Sequence, residues 1–142
     1  MNTGLHDRLN RLVQRLIDQQ KARVAVEPNR RDSGFWFGGG NPVVGPDGAL
    51  YITGRYRNAG DSRTGLKKGE RGLELAIFRS NQSAFNGGAP GFQKVLSFSK
   101  EDLSGSPGDV LSIEGTALMV TDAGVELFIS TEKSNLPYPA GL

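Results

Sequence analysis

The sequence predicts an all-β protein built from β-propeller blades of antiparallel strands, an incomplete ring of about one and a half blades, with an amphipathic helix in front. Three observations predict it. Twenty glycines stand among 142 residues, and they cluster at turn signals, as in a chain of many hairpins. Short apolar runs of strand length lie between those turns. The chain also repeats itself. Leu50-Tyr51-Ile52 falls on Leu127-Phe128-Ile129 at an offset of 77 residues, each triplet following a short strand and a turn. An internal echo of that size points to a repeat architecture.

Residues 3–23 read as the helix. Leu5, Leu9, Leu12, Val13, Leu16 and Ile17 share one face at helical spacing, and Arg8, Arg11, Arg15 and Asp18 occupy the rest. The expected place of the apolar face is against the outside of the domain. The other reading is a transit peptide or a membrane-surface helix, and Asp7 and Asp18 speak against it. Pro28 and the polar run after it close this region. The expected division is therefore a helix and linker over 1–30 and blades over 31–142.

From there the pattern is β-like. Phe35-Trp36-Phe37 is a short aromatic strand. Pro42–Val44 and Ala49–Arg57 are strands joined through Pro46-Asp47-Gly48, a strong turn signal. By alternation Leu50, Ile52, Gly54 and Tyr56 face one way, and Tyr51, Thr53, Arg55 and Arg57 the other. Residues 58–72 are a polar loop, 73–80 a strand, 81–91 a loop and 92–98 a fourth strand. Ser99-Lys100-Glu101-Asp102 starts a short helical turn with Ser99 as its cap. A second copy of the pattern begins at Leu111. Four antiparallel strands before the restart make one propeller blade.

Composition excludes several functions. There is no cysteine and one histidine, His6, so a disulfide framework, a histidine-cluster metal centre and the usual Ser-His-Asp triad are ruled out. Neither a metal nor a cofactor is expected. The net charge is only +2, with basic and acidic residues interleaved, which argues against a nucleic-acid partner. No apolar run approaches the roughly 20 residues that span a bilayer, and the N-terminus lacks the apolar core of a secretory signal. A cytoplasmic protein with no membrane partner is the expectation.

The order of motifs resembles the first blade of the five-bladed β-propeller glycosidases: the arabinanase and xylosidase, invertase, and mannoside phosphorylase and hydrolase families. Asn41-Pro42 resembles their first-blade Asp-Pro or Asn-Pro motif, and Tyr51 to Arg55 the strand that follows. Arg79-Ser80 to Phe92 resembles the end of that blade. Ser112-Ile113-Glu114-Gly115-Thr116-Ala117 resembles the start of a later one. Asparagine at position 41, where the arabinanase and invertase families carry an acid, is closer to the mannoside phosphorylases. The resemblance implies a carbohydrate partner and a glycoside hydrolase or phosphorylase acting over the propeller channel.

Such chemistry needs two carboxyl groups. Glu114 is the candidate for one. Asp61, Glu70 or a residue after Leu142 is the candidate for the other. Arg55, Arg57, Arg63 and Arg71 offer planar donors for phosphate, carboxylate or vicinal hydroxyls, or else pair with neighbouring acids. Trp36 offers an aromatic face to a sugar ring, or else belongs to the core. Asn41 and Glu114 are expected near one axis. The alternatives are a carbohydrate-binding propeller module without catalysis, and a sialidase-like enzyme. Five blades at this spacing need more than 142 residues, so a fragment is expected, or a chain whose unpaired blade edges are completed by self-association.

Overall fold

A computed structural model describes residues 3–58, 72–83, 90–105, 108–134 and 136. It is mostly antiparallel sheet with one N-terminal helix, and no sheet closes into a barrel among the described residues. The elements are α1 (Thr3–Leu16), β1 (Trp36–Gly38), β2 (Pro42–Val44), β3 (Ala49–Arg57), β4 (Glu74–Ser83), β5 (Phe92–Ser99), α2 (Lys100–Leu103), β6 (Val110–Thr121) and β7 (Gly124–Lys133).

β1 and β2 both pair with β3, one after the other. Trp36 to Gly38 lie opposite Arg57 to Arg55, and Pro42 to Val44 opposite Ile52 to Leu50. They are two halves of one interrupted strand. The interruption is Gly39-Gly40-Asn41. Gly40 is needed there because a Cβ on it would collide with the Thr53 carbonyl oxygen. β3, β4 and β5 continue as an antiparallel meander. The β2–β3 turn is closed by Gly48 donating to the Gly45 carbonyl at 2.9 Å. Gly48 has φ +74°, a conformation glycine adopts without steric cost.

The register puts Tyr51, Thr53 and Arg55 on one face with Arg79, Ile77 and Leu75, and Ile52 and Gly54 on the other with Phe78 and Ala76. Each face builds a core. On one, Tyr56, Ala76 and Phe78 pack with Val26, Phe37 and Phe92. The Phe37 ring stands edge-on to Tyr56 and Phe78, at centroid distances of 5.1 and 5.2 Å, a favoured arrangement for aromatic quadrupoles. On the other face Leu75, Val110 and Ile113 pack with Phe98, Leu103, Leu127 and Ile129, which seats the β6–β7 hairpin on the sheet. Between β5 and β6 in the chain, α2 carries a complete capping box of Ser99 and Asp102. The Lys100 ammonium donates to the Leu111 carbonyl at 2.7 Å.

Three expectations change. The repeated hairpins are not superposable. β6 and β7 close directly through Asp122-Ala123, with Thr121 opposite Gly124, so Leu127 pairs with Leu118 whereas Leu50 pairs with Val44. The tighter second turn slips the register. The helix also stops at Leu16 rather than continuing to residue 23. The Asp18 carboxylate accepts from the Gln20 backbone at 3.2 Å, a local bond that competes with the helical ladder. Nor does the helix lie against the domain: Leu5, Leu9, Leu12, Val13, Leu16 and Ile17 are 50–73% exposed.

Candidate functional site

The site is built where the gap between β1 and β2 meets β6. Glu114, Thr116 and Leu118 succeed one another at the two-residue spacing of a strand, and each meets a residue of the first sheet. Leu118 meets Asn41: its N–H donates to Oδ1 at 2.8 Å, and its carbonyl accepts from Nδ2 at 3.0 Å. Thr116 meets Gly39, whose carbonyl accepts its N–H at 3.0 Å, and its hydroxyl lies 3.0 Å from that of Thr53. Glu114 meets Arg55. Nε donates to the Glu114 carbonyl at 2.7 Å, and Nη2 reaches the carboxylate Oε2 at 3.5 Å.

These distances sort the candidate residues by role. Asn41 engages both atoms of its amide with one residue of β6, so its side chain imitates a strand peptide and joins the two sheets. Arg55 is only 6% exposed, and its Nε–H donates to a backbone carbonyl. A buried guanidinium held this way fixes the position of β6. The Glu114 side chain keeps 38% exposure. Asn41 lies in the gap between β1 and β2 and meets β6 at Leu118, about 13 Å along that strand from Glu114 at the usual strand rise. Asp61, Arg63 and Arg71, and with them Glu70, lie outside the described residues.

Trp36 is not core: it is 43% exposed. The Arg57 guanidinium stacks over its indole, 5.4 Å from the ring centroid. The indole also folds over Gly38, where any Cβ would strike the ring. Gly39 continues the same backbone to the Glu114 carbonyl, which would sit 3.7 Å from a Cβ on Gly39. The indole, Arg57, two glycines and the Arg55–Glu114 pair thus form one continuous strip. On the other side of the gap a groove of about 270 Å³ is lined by Val24, Val26, Phe37, Asn41, Pro42 and Ile52 among others.

One cluster escaped sequence reasoning. Arg79 donates to Asp47 Oδ2 from Nε at 2.9 Å and from Nη2 at 2.7 Å, and the Tyr51 hydroxyl donates to the same oxygen at 3.1 Å. Hydrogen bonds from Arg79 hold the Asp47 carboxyl below its ordinary range, helped by the Ala49 backbone. The Asp–Gly turn signal placed Asp47, but nothing in the spacing tied it to an arginine on β4. No group of three or more His, Asp or Glu residues able to hold a metal occurs among the described residues. Comparison with known proteins found no matching family model, no matching curated protein and no matching solved structure.

Proposed function

We propose that this chain is a carbohydrate-binding unit of β-propeller type, and that the strip from Trp36 to Glu114 is its binding surface. On this reading β1/β2, β3, β4 and β5 form one blade and the β6–β7 hairpin opens the next. The observation that carries the proposal is the exposed Trp36 with Arg57 stacked on it. An indole suits the C–H face of a pyranose, and a guanidinium beside it supplies planar donors to the hydroxyls. The Glu114 carboxylate adds acceptors along the same strip. Binding is favoured over cleavage because Asn41, the position where the arabinanase-like motif has an acid, is engaged with Leu118.

Glycoside cleavage is the second reading, and Glu114 is what favours it. A partly exposed carboxyl beside a guanidinium is one half of the pair such a reaction requires. A cytoplasmic setting accompanies both readings.

Trp36 is the only tryptophan in the chain, so its fluorescence reports the proposed site directly. Titration of the full chain with a panel of oligosaccharides is expected to shift or quench the emission. Trp36→Ala should abolish binding measured by calorimetry while leaving the far-ultraviolet dichroism unchanged. A panel that leaves both emission and heat unchanged rules out the binding surface. Turnover of a glycoside that disappears in Glu114→Gln, with binding retained, moves the assignment to cleavage.

A further inference from the structure

We infer that α1 is a membrane-surface anchor that lays its leucine stripe on an anionic lipid bilayer. Leu5, Leu9, Leu12, Val13 and Leu16 form a continuous apolar stripe, every member at least half exposed. A lone 14-residue helix is marginal in water, so a stripe this apolar requires a cover. The sequence alone favoured the domain surface as that cover. The exposure of every leucine removes it.

Charge identifies the occupant. Arg8, Arg11 and Arg15 line one flank of the stripe at i, i+3, i+7 spacing, and all three are exposed. Among the described residues none of them pairs with an acid. Three arginines bordering a leucine face match the headgroup layer of anionic lipids, with the leucines below it. The two acids that argued against a membrane do not oppose it. Asp7 lies about 180° around the helix from the stripe at 100° per residue, and Asp18 is bridged by Lys21 at 2.9 Å. A second copy of α1 is the weaker occupant. Leu5, Leu9, Leu12 and Leu16 have the 4-3-4 spacing of a coiled-coil seam, but they cover only about two heptads, below the three or four that argue for one. Arg8 and Arg15 flank that seam with no acidic residue at a flanking position to meet them.

The test is co-sedimentation of the full 142-residue chain with phosphatidylcholine vesicles, with and without phosphatidylglycerol. Binding is expected to the anionic vesicles, to weaken with salt, and to fall about fivefold for each arginine changed to Gln. Leu12→Glu should lower it by at least about tenfold, with the near-ultraviolet signal of Trp36 unchanged because α1 lies off both cores. Absence of binding to anionic vesicles overturns the proposal. So does binding of equal strength to neutral vesicles that ignores the arginine changes. Sedimentation equilibrium showing an oligomer that Leu12→Glu splits, together with no vesicle binding, assigns the stripe to a second copy instead.

Discussion

Asn41 and Leu118, 77 residues apart, exchange two hydrogen bonds, the asparagine amide taking the place of a strand peptide. This side chain joins the first sheet to the strand that begins the second, alongside the Thr53–Thr116 and Arg55–Glu114 contacts. Asn41→Asp keeps the acceptor but replaces the donor with a carboxylate facing the Leu118 carbonyl. Asn41→Ala removes both bonds and leaves a backbone donor and acceptor unmatched. Each is expected to lower stability by about 2 kcal/mol, read as a lower urea midpoint with an unchanged slope. A loss below about 0.5 kcal/mol in both variants would sink the joining role.

Gly38 and Gly40 separate the proposed binding role from the folding role. A Cβ on Gly38 strikes only the exposed indole of Trp36, whereas one on Gly40 strikes the Thr53 carbonyl and Thr116 hydroxyl. Gly40→Ala should therefore cost roughly 3–5 kcal/mol, because backbone cannot step aside. Gly38→Ala should leave the thermal midpoint nearly unchanged while shifting the Trp36 emission and weakening any sugar. A Gly38→Ala protein with native emission would show that the indole does not rest there.

Much of the strand order was legible, and the reason is local. Pro42–Val44, Ala49–Arg57 and the start of β5 follow from alternation bounded by turn residues, and the Ser99 cap from its aspartate three residues on. What was not legible is non-local. Nothing in the residues near Thr53 announces Thr116, and an asparagine amide bonded to a distant strand has no periodic signature. The echo at 77 residues correctly located the second hairpin but not its register, because turn length rather than strand sequence sets that register. The exposed leucine stripe was misplaced for a different reason: amphipathicity predicts that a face is covered, and does not name the cover.

Ser80 illustrates a motif position with a local explanation. It is fully buried, accepts the Leu50 N–H at 2.8 Å and donates to the Gln82 carbonyl at 2.6 Å. It thereby satisfies backbone groups at the irregularity where β3 and β4 shift register between Ala49 and Tyr51. Ser80→Ala should cost about 1–3 kcal/mol. The Leu50 amide should lose its protection against hydrogen exchange at the same time. Protection retained at Leu50 would show that another acceptor holds it.

Asp102 and Asp47 are among the carboxylates that carry an acid-sensitive share of the stability. The Ser99 backbone and hydroxyl hold Asp102 below its ordinary value of 3.8, and Arg79 holds Asp47 below the same value. The native state thus binds fewer protons than the unfolded chain at these groups. Their stabilisation is fully present above the unfolded value and is lost as pH falls through the lower folded one. The thermal midpoint should therefore decline below about pH 4. In Asp102→Asn and Asp47→Asn the midpoint should start lower at neutral pH, and the acid-dependent decline should shrink. Both groups are exposed and the Asp47–Arg79 pair is screened by salt, so the Asp47 share should fade in concentrated salt while the Asp102 share, carried by hydrogen bonds to Ser99, persists. An acid decline of the same size in the double variant would place the titration elsewhere.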